Sequence, residues 1–365
     1  MGAFAAVFAV AAVASFAFTF VMRRLSVRIG AVDQPDERRV HTTATPTLGG
    51  VAMFAAFMVA MAVASAFHQF RPVYATSAPL GVVLGAAVML GVGVVDDLRE
   101  VSPPAKLAGQ VLAATVLYFL GVTLYYFRIP FAGVLVLGTD LTPLVTVLWV
   151  TVMANAVNLI DGLDGLAAGI VAIASGSFFV YAHRVADLGL LTTDNVGALV
   201  AAATCGVCIG FLPHNFHKAK IFMGDSGALM LGLLMAASTM VVGGRLPPDQ
   251  ASGETFFFYA PLFIPFVILG VPISDAVFAA LRRAVKRSGM ATADKDHLHH
   301  RLMRLGHGHR RSVVILWAWT AVLSGLVLFP TFTQTGNAVI PFGIAALGVA
   351  LFTLFHPGLR QNARV

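Results

Sequence analysis

The stretch Asn155-Ala-Val-Asn-Leu-Ile-Asp-Gly-Leu-Asp-Gly-Leu-Ala-Ala-Gly169 places two carboxylates, two amides and three glycines between two long apolar runs. Ionisable side chains such as Asp161 and Asp164 are costly near lipid, and those found there usually serve a function. The glycine after each aspartate allows the backbone to turn sharply and to approach a ligand closely. If the stretch is helical, the two carboxylates share a face because they are three residues apart. The alternative is a polar loop before a helix that begins near Leu166.

The composition of the chain indicates an integral membrane protein. Of its 365 residues, 58% are hydrophobic and 11% are charged, and the mean hydropathy is +0.85. A soluble domain of this length has too little interior to bury so much apolar surface. We therefore expect an all-α, polytopic membrane fold. Its first apolar run, Ala3 to Met22, is expected to be a retained span, because Arg23 and Arg24 follow it, whereas a cleaved signal peptide has its charges first.

Eleven apolar segments have the length of a bilayer-crossing helix, roughly 17–25 residues. They are 3–22, 48–67, 79–95, 106–124, 143–158, 167–184, 194–212, 226–244, 256–278, 312–329 and 337–355. The ninth contains three prolines and is expected to be kinked or broken. Before the fifth, Phe131–Leu137 fits a re-entrant or an extended piece. Cys205 and Cys208 lie in the seventh, where buried packing in a helix is favoured over a redox or metal site.

The basic residues indicate which loops face the cytoplasm. Of the 24 Lys and Arg residues, 20 fall in one alternate set of connections, and cytoplasmic loops carry such an excess. Eleven spans then place the N-terminus outside and the C-terminus in the cytoplasm. The chain is expected to form a single domain, 1–365, with cytoplasmic catalytic loops near 23–47, 96–106, 158–166, 213–225 and 281–311.

Asp96 and Asp97 end the third span, where lipid gives way to water. Adjacent carboxylates repel each other, and a divalent cation or a cationic substrate would offset that charge. A solvated Asp-Asp turn is the alternative. Lys106 begins the next span and is expected to place a positive charge near these two carboxylates.

Two turns have features of phosphate or sugar sites. Thr45-Pro-Thr-Leu-Gly-Gly50 combines hydroxyls with amides that are expected to be free. Asp225 lies between glycines at the start of the eighth span, where Ser226 is a candidate N-cap. Free amides at that helix start, beside Lys218 and Lys220, would suit phosphate oxygens.

The longest cytoplasmic loop contains Asp294-Lys-Asp-His-Leu-His-His-Arg-Leu302. Three histidines in four residues can bind a transition metal, but no other His or Cys lies at convincing zinc spacing. Binding of a pyrophosphate or a nucleotide is favoured for four residues of this loop, His297, His299, His300 and Arg301.

Together these clusters combine hard oxygen ligands with Lys, Arg and His, and no GxxxxGK[ST] loop is present. Mg²⁺ prefers a few carboxylates plus substrate phosphates. The residues therefore favour metal-assisted phosphoryl transfer at the cytoplasmic membrane surface, on a substrate that lies partly in the bilayer.

Four motifs resemble those of the polyprenyl-phosphate N-acetylhexosamine-1-phosphate transferases, in the same order along the chain. They are Val-Val-Asp-Asp-Leu (94–98), Asn-Ala-Val-Asn-Leu-Ile-Asp-Gly-Leu-Asp-Gly-Leu-Ala (155–167), Ile-Phe-Met-Gly-Asp-Ser-Gly (221–227) and Asp-His-Leu-His-His-Arg-Leu (296–302). The eleven-span count is also similar. The His-x-His-His pattern looks like the branch that uses UDP-N-acetylglucosamine, the bacterial undecaprenyl- or decaprenyl-phosphate N-acetylglucosaminyl 1-phosphate transferases. The branch that takes UDP-N-acetylmuramoyl-pentapeptide usually has three consecutive histidines there.

The resemblance implies transfer of N-acetylglucosamine 1-phosphate from UDP-N-acetylglucosamine to a polyprenyl phosphate, with release of UMP, in the bacterial cytoplasmic membrane. It implies Mg²⁺ as the cofactor, with Mn²⁺ as an alternative ion, and no nucleic-acid partner; a homodimer is left open. The implied metal-site residues are Asp225, Asn158 and Asp97. The implied catalytic carboxylates are Asp96, Asp97, Asp161 and Asp164, and the implied substrate-binding residues are Lys106, Asn155, Asn215, His297, His299, His300 and Arg301. Arg99 and Glu100 depart from relatives that carry a lysine shortly after the paired aspartates.

Two questions stay open at the level of sequence. The first is the mechanism: either the lipid phosphate attacks directly, with Asp96 taking its last proton, or Asp96 forms a covalent intermediate. Direct attack is favoured because two anions need the charge of the metal more than they need a nucleophile.

The second is the function. The rival functions are the muramoyl-pentapeptide reaction on the same fold and a cation-coupled transporter. Transporters place such carboxylates near the middle of the bilayer, whereas here they gather at span ends.

Overall fold

A computed structural model describes residues 1–34, 44–99, 101–129, 133–245, 307–333 and 339–355 of the chain. This part is almost entirely helical. Its helices are α1 (Gly2–Arg28), α2 (Gly49–Ser65), α3 (Arg71–Tyr74), α4 (Ala78–Arg99), α5 (Pro103–Phe119), α6 (Leu141–Ile160), α7 (Leu166–Asp187), α8 (Gly197–Asn215), α9 (Gly224–Gly243), α10 (His309–Thr333) and α11 (Val339–Phe355), with a 3₁₀ turn at His68–Phe70.

Two antiparallel strand pairs complete the secondary structure of these ranges. The first, β1 (Val32–Asp33) with β2 (Thr45–Pro46), pairs Val32 with Pro46. The second, β3 (Tyr126–Ile129) with β4 (Gly133–Val136), is a hairpin that pairs Tyr126 with Val136. For the described residues 133–136 of the segment before the fifth predicted span, the extended alternative is therefore confirmed.

The described helices include six that are long and apolar enough to cross a membrane, and seven if a bent pair counts as one span. The six are α1, α4, α6, α7, α8 and α9; the pair is α2 with the turn and α3, bent by 97°. These helices confirm a multi-pass, predominantly helical membrane fold. Ten of the eleven predicted spans overlap a helix, and the ninth, 256–278, lies outside the described residues.

Helix α9 is the centre of the bundle. It is buried along its length and packs against α2, α4, α6 and α8. Small residues permit these close contacts. A Cβ added at Gly93 of α4 would meet backbone atoms of Ser226, and one at Gly50 of α2 would meet the backbone of Gly227. Backbones approach each other in this way at glycine-lined contacts in membrane bundles.

Asp161 and Asp164 lie in the loop between α6 and α7, so they do not share a helix face. Helix α6 ends at Ile160 and α7 begins at Leu166, as the loop alternative predicts. Gly165 precedes α7 with a φ of 78°, a left-handed conformation that glycine adopts without steric cost.

The amides expected to be free in the Thr45–Gly50 turn are engaged, so that prediction is wrong. Gly49 N–H donates to the carbonyl of Phe222 at 3.0 Å, and Gly50 N–H donates to that of Met223 at 2.9 Å. These two bonds tie the start of α2 to the segment before α9. The two cysteines are unpaired residues of α8, with Cys208 buried and Cys205 half-buried, as predicted.

The close approach of α4 and α9 predicts different effects on stability for two alanine substitutions on α4. Gly93→Ala is expected to destabilise the fold by about 1–3 kcal/mol, because the new methyl overlaps the backbone at Ser226. Gly91→Ala is the matched control, since no atom of the described residues lies within 4 Å of its Cβ position. Thermal unfolding of the purified variants in detergent measures both, and equal midpoints would contradict the packing described for α9.

Candidate functional site

Lys106, Asn158 and Asp225 meet where α5 begins, α6 ends and α9 begins. Asn158 Nδ2 donates to Asp225 Oδ1 at 2.7 Å. Lys106 Nζ donates to Asp225 Oδ2 and also to Asp96 Oδ2, the latter at 2.9 Å. Lys106 therefore bridges two carboxylates from different helices. The structure brings four of the predicted site residues into one hydrogen-bonded group.

Asp96 and Asp97 are adjacent in sequence, but their carboxylates point to different partners. Asp96 accepts from Lys106 and from the backbone N–H of Val101, the latter at 2.6 Å. Asp97 accepts from the amides of Asp225 at 2.8 Å and Ser226 at 3.2 Å. A lysine offsets one charge and a helix N-terminus, which is positively polarised, offsets the other. The alternative of a solvated Asp-Asp turn is therefore wrong.

Asp97 caps α9 from another helix. The first amides of α9 have no intrahelical acceptor, and no side chain next to the helix start caps them. The Ser226 hydroxyl donates to the carbonyl of Met223 at 3.2 Å, so the prediction that Ser226 is the cap is wrong. The amides expected to be free for phosphate at this helix start are bound to Asp97.

Asp161 follows directly after α6 and faces the negative charge of the group. Burial raises the pKa of Asp161 well above its usual range, and the carboxylates of Asp225, Asp97 and Asp164 raise it further. Among the described residues, Lys106 pairs with Asp225 and Asp96, and no lysine or arginine pairs with Asp97 or Asp161. The negative charge of the site therefore exceeds the positive charge of Lys106. The atoms that could bind a metal ion here are carboxylate and amide oxygens. This donor set fits Mg²⁺, which takes oxygen ligands.

Asp164 and Asn215 fix the loop between α6 and α7. Asp164 Oδ2 accepts from His217 Nδ1 at 2.9 Å and from Ala219 N–H at 3.1 Å. The buried Asn215 side chain accepts from Gly165 N–H at 2.9 Å and donates to Ile221 O at 3.0 Å. Both side chains position the loop, and their direct contact with a substrate stays a prediction.

Asn155 pairs with Gln110, a residue that the sequence analysis missed. The two side-chain amides exchange hydrogen bonds of 2.7 and 3.3 Å. Gln110 lies one helical turn after Lys106, and Asn155 lies one turn before Asn158. This helical spacing could have predicted that Gln110 and Asn155 lie on the same helix faces as Lys106 and Asn158. It places a polar contact next to the carboxylate group, and the predicted substrate-binding role of Asn155 stays a prediction.

His217 and His309 were also missed. His217 Nδ1 bonds Asp164 at 2.9 Å, and His309 Nε2 lies 3.9 Å from the same carboxylate oxygen. No local pattern links these two histidines, since two predicted spans, 226–244 and 256–278, lie between them in the sequence. His297, His299, His300 and Arg301 lie outside the described residues.

Comparison with known proteins gives a consistent family match. The model of glycosyl transferase family 4 matches residues 79–243. The decaprenyl-phosphate N-acetylglucosaminephosphotransferase of Mycobacterium tuberculosis (strain ATCC 25618 / H37Rv) is 37% identical over 354 residues, covering 93% of this chain and 86% of the relative. The probable undecaprenyl-phosphate N-acetylglucosaminyl 1-phosphate transferase of Bacillus subtilis (strain 168) is 37% identical over 300 residues, covering 82% and 77%. The phospho-N-acetylmuramoyl-pentapeptide-transferase of Desulforudis audaxviator (strain MP104C) is 32% identical over 313 residues, covering 80% and 86%.

The environment of Asp161 predicts how stability depends on pH. Because the folded-state pKa is raised, the folded protein binds this proton more tightly than the unfolded chain does. Stability then falls as pH rises from the ordinary carboxyl pKa through the raised one. Asp161→Asn removes this loss, so with a chelator present the variant is expected to unfold at a higher temperature than the wild type at neutral pH.

Thermal unfolding across a pH series, with EDTA and then with excess Mg²⁺, measures this effect. Mg²⁺ is expected to stabilise the wild type more than the variant. Asp187→Asn is the control, since that carboxylate lies at the other end of α7. Identical pH profiles for wild type and Asp161→Asn would refute the charge excess.

Proposed function

Because the chain belongs to glycosyl transferase family 4, we propose that it transfers N-acetylglucosamine 1-phosphate from UDP-N-acetylglucosamine to a polyprenyl phosphate and releases UMP. This reaction begins a lipid-linked glycan of a bacterial cell envelope. The observation that carries the proposal is the group of Asp96, Asp97, Lys106, Asn158 and Asp225, which four helix ends bring together at one end of the bundle. Charged groups gathered at span ends suit a reaction at a membrane surface.

The names of the relatives favour N-acetylglucosamine over the muramoyl-pentapeptide donor. The mycobacterial and bacillar relatives named for the N-acetylglucosamine reaction are 37% identical to this chain. A relative named for the pentapeptide reaction is 32% identical. The His-x-His-His sequence of residues 297–300 supports the same choice. The pentapeptide reaction is the second candidate, on the same site.

Mg²⁺ is the proposed cofactor, with Mn²⁺ as an alternative ion. Asp225 and Asn158 would hold it, with Asp97 and Asp161 beside them, because these oxygens form the described group with excess negative charge. When bound, the ion would supply positive charge to the diphosphate of the sugar nucleotide and to its leaving group.

The chain's own residues are arranged to bring two anions together. Lys106 carries a positive charge between Asp96 and Asp225 and is placed to bind phosphate oxygens. A phosphate monoester has a second pKa of about 6, so the lipid phosphate is largely deprotonated near neutral pH. Asp96 then needs only to take a last proton while the lipid phosphate attacks in line. A covalent adduct trapped on Asp96 during turnover would contradict this direct mechanism.

An apolar surface beside the site suits the lipid substrate. Leu107, Val111 and Leu112 of α5 are exposed on the outside of the bundle, and Leu107 directly follows Lys106 in the chain. Leu159, next to Asn158, is exposed as well. A polyprenyl chain can lie against these side chains while its phosphate reaches Lys106.

The proposed arrangement in the bacterial cytoplasmic membrane has eleven spans, with the N-terminus outside and the site on the cytoplasmic face. The charge asymmetry of the loops supports it, since 20 of 24 basic residues fall on one side. In the described part, the connections before α5, between α6 and α7, and between α8 and α9 carry the site residues. All three belong to the set of loops assigned to the cytoplasm. We also propose a single domain over residues 1–365. The proposed substrate-binding role of residues 297–301 rests on the resemblance of the motif at 296–302.

Release of UMP tests the function directly. Purified protein with a short polyprenyl phosphate, UDP-N-acetylglucosamine and Mg²⁺ is expected to release UMP. Asp225→Asn and Asp97→Asn are each expected to lower turnover by about 10²–10³-fold, the usual cost of losing one electrostatic contact in a transition state. Asp187→Asn is the control and is expected to keep near-normal turnover. Near-normal rates in both site variants would remove the assignment of the metal site.

Labelling of single cysteines tests the orientation. With Cys205 and Cys208 replaced by alanine, Thr193→Cys is expected to react with a membrane-impermeant maleimide in intact cells. Ser102→Cys, which precedes α5 and the site, is expected to react only after the cells are opened. Both positions are exposed in the structure, so exposure alone cannot distinguish them. The reverse pattern would overturn the orientation.

A further inference from the structure

Asp164, His217 and His309 form a second cluster of ligand-type side chains, separate from the group around Asp225. One oxygen or ring nitrogen from each residue lies within 4.8 Å of the other two. The three come from the α6–α7 loop, the α8–α9 connection and the start of α10. The imidazole rings of His217 and His309 stack with centroids 4.3 Å apart. The Arg310 side chain donates to the backbone carbonyl of His217 at 3.1 Å, which holds α10 against this connection.

One nitrogen in this cluster is buried without a hydrogen-bond partner among the described residues. It is His309 Nε2, which lies 3.9 Å from Asp164 Oδ2. A buried polar atom left unpaired costs free energy, and a bound cation between the two side chains would satisfy it. The three side chains are only 12–28% exposed, so a bound ion would be partly shielded from water.

The donor set is suited to a transition metal. Two imidazole nitrogens with one carboxylate oxygen match three-ligand zinc sites, whereas Mg²⁺ prefers oxygen ligands. Zinc–nitrogen bonds of about 2.0–2.1 Å require ligand atoms that are about 3.4 Å apart. The distance from Asp164 Oδ2 to His309 Nε2, 3.9 Å, would have to shorten by about 0.5 Å, and the distance to His217 Nδ1, 2.9 Å, to lengthen by about as much. Small side-chain rotations supply both changes. A metal ion on His217 Nδ1 would replace the hydrogen bond between this nitrogen and Asp164, and the neutral ring would carry its proton on Nε2.

We propose that Asp164, His217 and His309 form a binding site for a first-row transition-metal dication of the Zn²⁺ type, distinct from the proposed Mg²⁺ site. The bound ion pins the α6–α7 loop to the start of α10. Because this loop carries Asp161 three residues before Asp164, occupancy fixes the position of a carboxylate of the main site. The proposal does not depend on the proposed reaction, since metal binding is measured without substrate.

Titration with Co²⁺ tests the site in the full-length protein in detergent, with excess Mg²⁺ present. Four-coordinate Co²⁺ has a strong visible absorption band and six-coordinate Co²⁺ a weak one, so the spectrum reports the tetrahedral site that zinc prefers. The titration is made in a variant with His297, His299 and His300 changed to Gln, which removes the loop histidines as competing ligands. In this background we expect one strong band that excess Zn²⁺ abolishes.

His217→Gln and His309→Gln are each expected to weaken Co²⁺ binding by at least about tenfold, because each removes one of three protein ligands. His183→Gln is the matched control: it removes a histidine that lies 3.7 Å from Asp187 outside the cluster, and the band is expected to persist. X-ray absorption at the zinc edge, on the same background without further change, is expected to show two imidazole ligands. This measurement decides the question even where a variant does not fold. Absence of the band, a band indifferent to both substitutions, or a zinc shell without imidazole would overturn the proposal.

Discussion

Two hydrogen bonds from the first turn of α9 to the Asp97 carboxylate join the central helix to the end of α4. A buried helix N-terminus exposes unpaired amides and a partial positive charge, and neither is tolerated in an apolar bundle without a partner. Asp97 supplies the partner from another helix. Gly224 makes room for it: its φ is 69°, and a Cβ at that position would overlap the Asp97 carboxylate. The glycine at position 224 is therefore required for Asp97 to cap α9 from another helix.

The same helix start is held on a second side. The amides of Gly49 and Gly50 bind the carbonyls of Phe222 and Met223, so α2 and α4 together fix the backbone on which Asp225 stands. The Asp225 side chain then meets Lys106 and Asn158 with little freedom to move away. Sites held within a fraction of an ångström by their surroundings avoid the cost of reorganising during a reaction. The contacts that pack the start of α9 therefore also hold the charged group at its end in position.

The sequence was enough to predict the membrane fold, most helix positions and the end of the bundle at which the polar residues gather. Composition and apolar length decide those features, and the start of α7 at Leu166 followed from the glycines and aspartates before it. The partners of each side chain were not predictable. Neighbours on a helix do not face the same way, so the direction in which Asp96 and Asp97 diverge depends on where α5 and α9 lie. The contact of His217 with His309 depends in the same way on how distant segments pack.

The charge of Lys106 suggests how the group changes when a substrate arrives. Asp225 is bonded by Lys106 on one carboxylate oxygen and by Asn158 on the other. A lysine ammonium is a compact charge with three rotatable donors, whereas an arginine fork would hold one carboxylate by two parallel bonds. In the proposed reaction, Lys106 would exchange Asp225 for a phosphate oxygen and keep its bond to Asp96. That exchange would free one oxygen of Asp225 for a cation when the phosphate of the substrate enters the site. The same lysine would then offset negative charge both in the empty site and in the site with bound substrate.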